Sequence, residues 1–174
     1  MDLASKKNIV LVGFMGTGKS VIGRLLSQRL HRRRFDTDAW VVAEAGMPIA
    51  EIFERFGEQA FRDMETLAAR QVSTPRRLVV STGGGILGRD ENVELLRSGG
   101  RLVRLHARPE VILERTRPWT RRPLLASAAD PLETIRQLLA EREPRYALAD
   151  WSIDTSDLAL EDVVERICAK LPSL

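Results

Sequence analysis

Eight residues, Gly13-Phe14-Met15-Gly16-Thr17-Gly18-Lys19-Ser20, constrain this chain more than any other stretch. They satisfy the pattern G-x-x-x-x-G-K-[ST] without a mismatch. An apolar run, Ile9-Val10-Leu11-Val12, leads in and reads as a buried parallel strand. Val21, Ile22, Leu25, Leu26 and Leu30 follow at helical spacing. Strand, glycine loop and helix in that order let backbone N–H groups converge on phosphate oxygens, at a helix N-terminus that carries partial positive charge. Lys19 would reach the β- and γ-phosphates, and the Ser20 hydroxyl would ligate Mg²⁺. A nucleoside triphosphate is therefore the expected ligand, with Gly13, Gly16, Thr17, Gly18, Lys19, Ser20 and Val21 as its contacts.

With 174 residues the chain is long enough for one domain with a sizeable core. Its 44% hydrophobic and 29% charged content is ordinary for a globular protein. No apolar run approaches the length of a bilayer span, and residues 1–8 hold no secretory apolar region. A cytoplasmic protein without membrane contact is expected. The single cysteine, Cys168, excludes an internal disulfide and sits in an apolar helical pattern, as a core residue would. Only four of the 27 basic residues are lysines, so the set is dominated by arginine, whose planar fork suits carboxylates and phosphates. A net charge of +3 is too mild to indicate nucleic acid. The run His31-Arg32-Arg33-Arg34 falls where the first helix should end, so no nucleic-acid partner is expected.

Strands alternate with helices along the chain, the signature of an α/β parallel sheet covered on both faces. Strands are expected over 8–12, 34–37, 78–82, 101–105 and 150–154. Helices are expected over 19–31, 39–46, 49–56, 58–72, 91–98, 109–117, 132–146 and 160–171. Asp130-Pro131-Leu132-Glu133 reads as a capped helix start. Segment 118–131, with Pro118, Arg121, Arg122 and Pro123, lacks periodicity and reads as a lid.

Phe35-Asp36-Thr37-Asp38 closes the second strand, at the sheet edge where parallel folds carry their ligand sites. On an extended chain Asp36 and Asp38 point to the same side. One could serve Mg²⁺ and the other take a proton from an attacking hydroxyl, although aspartates ending a strand also form turns. Glu58, Arg62 and Glu65 share a helix face. They make either a surface ion-pair ladder or an arginine held rigid to grip an anion. Ser81-Thr82-Gly83-Gly84-Gly85 follows the apolar run Leu78-Val79-Val80 and implies close backbone approach to a ligand. Arg142-Glu143-Pro144-Arg145-Tyr146 ends a helix, where cations suit the dipole. His31 and His106 show no partner spacing, and Trp40, Trp119 and Trp151 read as packing.

Taken together, G-F-M-G-T-G-K-S at 13–20, F-D-T-D at 35–38, G-E-Q-A-F-R-D-M-E at 57–65, S-T-G-G-G at 81–85, R-P-L-L at 122–125 and R-E-P-R-Y at 142–146 resemble the shikimate kinase family in order and spacing. The resemblance covers roughly residues 7–171. It implies a P-loop NTPase fold like that of the nucleoside monophosphate kinases: a five-stranded parallel sheet, order 2-3-1-4-5, flanked by helices and carrying a lid. A single kinase domain over 1–174 is implied, with a substrate-binding region at about 35–65 and the lid at about 118–131. The implied reaction moves the γ-phosphoryl group of ATP to the 3-hydroxyl of shikimate, with Mg²⁺, toward chorismate and the aromatic amino acids. A monomer is expected. By position, Asp38 would hold shikimate hydroxyls and act as base or orienter, and Arg62 and Arg142 would clamp the substrate carboxylate. Gly83, Gly84 and Gly85 would line the pocket with backbone N–H groups. Arg122 would reach the transferring phosphate, Asp36 would help Ser20 position Mg²⁺, and Arg115 would lie against the adenine. Lys19, Arg122 and Asp38 are thus the expected catalytic set.

Where the family often places a proline against the adenine, this chain reads Ser156-Asp157-Leu158-Ala159-Leu160, which leaves that loop's base contacts open. Two rival readings remain. A kinase for another small metabolite, such as gluconate, would share the phosphate loop and lid, but not the pair Arg62 and Arg142 together with three successive glycines. A ligand-sensing module would keep the fold without the chemistry. Against it, Lys19, Asp36, Asp38, Arg62 and Arg122 are all present.

Overall fold

Alternation along one strand sets the layers of the molecule. In β1 (Asn8–Val12), Ile9 and Leu11 pack into one apolar cluster, and Val10 and Val12 into another. Period-two geometry sends successive side chains to opposite faces, so a strand buried on both faces is apolar throughout. The computed structural model describes residues 6–74, 76–117 and 128–173. β1 lies between β3 (Val79–Ser81) and β4 (Gly100–His106), with β2 (Arg34–Asp36) and β5 (Trp151–Asp154) at the edges. The order is β2-β3-β1-β4-β5 and every pairing is parallel, as expected.

Helices α1 (Lys19–Arg29) and α7 (Leu160–Lys170) cover one face through Ile22, Leu26, Val163, Val164 and Ile167. Cys168 packs at the margin of this cluster. The other face is covered by α3 (Ile49–Gln71), α4 (Asp90–Gly99), α5 (Pro109–Arg115) and α6 (Pro131–Tyr146), through Ala69, Val72, Val93, Leu96, Ile112, Ile135 and Tyr146. A smaller third cluster joins Val41 of α2 (Thr37–Ala45) to Ile52, Phe61 and Ala68 of α3. That cluster gives the α2–α3 region its own support. Among the described residues no helix is long and apolar enough to cross a membrane.

Two local features differ from, or sharpen, the sequence reading. The second strand stops at Asp36, because its carboxylate caps a helix: Oδ1 accepts the N–H groups of Asp38 and Ala39, each at 3.1 Å. Asp38 therefore sits in the first turn of α2, not on an extended chain, and the same-side argument for Asp36 and Asp38 does not hold. The two helices expected over 49–56 and 58–72 form one element, broken at Gly57 (φ 80°, ψ 175°). Only glycine enters that region without strain. The capped start at Asp130 is as read, with its side chain accepting from Leu132 and Glu133 N–H. The lid residues 118–127, Trp119 and Arg122 among them, lie outside the described residues.

Candidate active site

Strand order reverses about β1, which opens a crevice at the carboxyl ends of the strands. Two adjoining cavities occupy that edge. The larger, about 580 Å³, wraps the glycine loop and is lined by Gly16, Thr17, Gly18, Lys19, Ser20 and Val21, with Asp38, Thr82 and Gly84 at one end. At the other end stand Arg115, Thr155, Leu158, Ala159, Leu160 and Val163. The smaller cavity, about 300 Å³, is lined by Arg62, Glu65, Gly84, Gly85 and Arg142, with Glu58, Arg89, Asn92, Arg145 and Tyr146 among its other walls. Gly84 borders both.

The loop around the larger cavity is built by its own sequence. Gly18 caps α1 in the left-handed region (φ 95°), and the first residues of the helix, Lys19, Ser20 and Val21, line the cavity with it. Thr17 Oγ1 and Lys19 Nζ both donate to the carbonyl of Phe14, at 2.8 and 2.7 Å. Val21 is the exposed member of the apolar series in α1 and faces this cavity, whereas Ile22 and Leu26 are in the core. Gly13 does not line the cavity; its backbone lies against the Leu105 carbonyl of β4, too close for any side chain. Arg115 is held by the β5–α7 loop. Its Nη2 donates to Thr155 O at 2.7 Å and its Nη1 to Thr155 Oγ1 at 3.1 Å.

In the smaller cavity, Arg62 is both a ladder member and a fixed fork. Nε and Nη2 donate to Glu58 Oε1 at 3.2 and 2.9 Å, and Nη1 donates to Glu65 Oε2 at 2.7 Å. The partners are unlike: the Glu58 side chain is 66% exposed and that of Glu65 is 1% exposed. Burial pushes the Glu65 carboxyl above its usual range, with Asp38 adding like charge, against the downward pull of Arg62 and Arg142. Arg142 lies over the Phe14 ring at 5.3 Å and donates to Gly84 O at 3.4 Å. No described carboxylate pairs with it, unlike Arg62, Arg89 and Arg145. Its guanidinium therefore lines this cavity without a carboxylate of the described residues on it.

The three glycines have different reasons. A Cβ on Gly83 would stand 2.6 Å from Asp38 Oδ1 and 2.9 Å from Glu65 Oε1, and one on Gly85 would collide with the Arg62 guanidinium. These two glycines admit protein side chains. Gly84 is different: a Cβ there would meet its nearest protein atoms at 3.6–3.7 Å, an ordinary contact. The Gly83 N–H donates to Thr37 Oγ1 at 3.0 Å and Gly83 lines neither cavity, so the expected row of three N–H groups facing a ligand is not formed. Asp36, whose Oδ1 caps α2, also lies outside both linings.

Sequence reasoning gave no role to Thr82, Thr155, Asn92 or Tyr146, which line the cavities. Thr82 and Thr155 follow the carboxyl ends of β3 and β5, and that position was the available signal. Tyr146 and Asn92 project from helices into a cavity that sequence spacing does not show. Among the described residues no three His, Cys, Asp or Glu side chains form a metal cluster.

A family model described as shikimate kinase matches residues 15–172. A shikimate kinase of Caldanaerobacter subterraneus subsp. tengcongensis is 47% identical over 92% of this chain and 94% of its own length. Among solved structures, shikimate kinase from Acinetobacter baumannii in complex with shikimate superimposes with a TM-score of 0.91 at 36% identity, covering 98% of this chain and 95% of that one. A gluconokinase from Sinorhizobium meliloti shares the fold, with a TM-score of 0.65 at 20% identity over 97% of this chain and 93% of the other.

Proposed function

The chain belongs to the shikimate kinase family, an ATP-dependent phosphotransferase that makes shikimate 3-phosphate and ADP, and we propose that its two cavities divide that work between nucleotide and acceptor. The observation that carries this division is Gly84, which borders both cavities and stands between the loop bearing Lys19 and the fork of Arg62. ATP lies in the larger cavity, its phosphates on the N–H groups at the start of α1 and its base between Arg115 and the apolar wall of Leu158 and Leu160. Shikimate lies in the smaller one, its carboxylate on Arg142 and Arg62.

The acceptor hydroxyl then points past Gly84 toward Lys19. Asp38, in the first turn of α2, orients that hydroxyl and accepts its proton as the oxygen attacks the γ-phosphorus. Lys19 neutralises charge on the phosphoryl oxygens. To do so it exchanges its contact with Phe14 O for the phosphate. Positioning and charge neutralisation make up most of this catalysis. The donors at the loop suit Mg²⁺: the Ser20 hydroxyl and the Asp38 carboxylate both line the larger cavity and are hard oxygen donors, whereas Asp36, outside that lining with Oδ1 capping α2, would reach the ion only through water. Held by Ser20 with Asp38 nearby, the ion would supply positive charge to offset that of the phosphates. The assignment of Arg122 to the transferring phosphate rests on the resemblance alone.

The test is ADP release with ATP, Mg²⁺ and shikimate beside quinate, gluconate and no acceptor, in wild type and Asp38→Asn. Release is expected with shikimate only, and the variant should lose it by roughly a hundredfold or more while still binding ATP. Turnover of Asp38→Asn near wild type would rule out Asp38 as the proton acceptor. Release with gluconate but not shikimate would reassign the smaller cavity.

A further inference from the structure

We propose that Thr155 is a positioning residue for the nucleotide, tying the wall that meets the base to the loop that holds the phosphates. The inference rests on the reading of the larger cavity as the ATP site. Thr155 follows β5, is 3% exposed and lines that cavity. Its hydroxyl oxygen accepts from Arg115 Nη1 at 3.1 Å, on the base side. Its one proton lies within reach of two carbonyls: Thr17 of the phosphate loop at 3.3 Å and His106 at the end of β4 at 3.1 Å. The His106 carbonyl already accepts the Thr155 N–H at 2.8 Å, so the backbone alone anchors Thr155 to the sheet. What the hydroxyl adds is a link from Arg115 to Thr17.

The chemistry at each end explains why the link matters. The Thr17 carbonyl belongs to the segment whose following N–H groups face the phosphates. Its orientation fixes that of the Gly18 N–H, because the two groups share one planar peptide. Arg115 is a long side chain with several rotamers, and its Nη1 loses its acceptor if the hydroxyl is absent. A single hydroxyl thus sets the distance between base wall and phosphate cradle, a spacing that a nucleoside triphosphate must match at both ends. Shikimate, in the other cavity, does not sense this distance.

Thr155→Val removes the hydroxyl at nearly constant volume, and Thr155→Ser keeps it. Steady-state kinetics with ATP and shikimate varied in turn, ADP titration calorimetry and thermal melting would be run on both variants, with Arg115→Ala as the reference for the base wall. Thr155→Val should raise the ATP KM and the ADP Kd about tenfold while leaving the shikimate KM within twofold. Thr155→Ser should restore both nucleotide constants. An unchanged nucleotide constant in Thr155→Val, with Arg115→Ala impaired, would overturn the role of Thr155 but leave the cavity assignment intact. A loss shared equally by both substrates and not restored by serine would also overturn it, as a general packing defect. Unchanged nucleotide constants in both Thr155→Val and Arg115→Ala would overturn the cavity assignment itself.

Discussion

The Tyr146 hydroxyl donates to the carbonyl oxygen of Gly84 at 2.8 Å, joining the end of α6 to the glycine turn between the two cavities. The ring is buried, which raises the phenol's pKa and keeps it a donor. Tyr146→Phe removes only this oxygen. It should cost about 1 kcal/mol of stability, lower the melting temperature by roughly 2–4 °C, and raise the shikimate KM several-fold as the turn loosens. Calorimetry and steady-state kinetics on one preparation check both parts.

Gly84→Ala and Gly83→Ala should fail differently. At Gly84 the added methyl meets the protein at ordinary contact distance, so the fold should melt within about 2 °C of wild type. The methyl nevertheless stands where the cavities join, and activity should fall by roughly a hundredfold. At Gly83 the methyl would displace the carboxylates of Asp38 and Glu65, so stability should drop by about 1–3 kcal/mol along with activity. Equal melting losses in the two variants would contradict the different reasons assigned to these glycines.

The two partners of Arg62 should be unequal in energy. Glu58→Ala removes an exposed i,i+4 partner and should cost no more than about 0.5 kcal/mol. Glu65→Ala removes a buried carboxylate, frees Arg62 to leave its position and should cost about 3 kcal/mol. The shikimate KM should follow the same order, rising strongly for Glu65→Ala and little for Glu58→Ala. Denaturant melts and KM measurements decide this.

Glu143 accepts two hydrogen bonds from Arg104, at 2.7 and 2.6 Å, which hold its carboxyl below the usual range. A depressed carboxylate pKa contributes stability above its unfolded value and loses it as pH falls through the folded value. Glu143→Gln should therefore be less stable than wild type at neutral pH, by about 0.5–1 kcal/mol given the exposed side chain. The difference should vanish in acid, below the carboxylate range. A gap that persists at acid pH would assign the effect to packing instead.

Much of this protein was legible in the linear chain because its determinants are local. The phosphate loop needs glycines, a lysine and a hydroxyl at fixed spacing between a strand and a helix, and all of these lie within residues 8–26. The alternation of apolar strands and amphipathic helices dictated a parallel sheet, and the order observed is the one the family resemblance implied. Family motifs also pointed to Arg62, Arg142 and the glycine turn. What the spacing could not show is which side chains meet across distant segments. Asp36 and Asp38 look equivalent in sequence, yet a helix cap separates them, because an aspartate ahead of a helix satisfies orphan N–H groups more favourably than it extends a strand. Three consecutive glycines look alike, but Glu65, Asp38 and Arg62 approach two of them and an open junction the third. Thr155 was marked only by its place after β5, and the contacts of Thr155 and Tyr146 had no local signal, since their hydroxyls act on partners 138 and 62 residues away. Packing of the helices onto the sheet made those contacts, and only tertiary structure decides them.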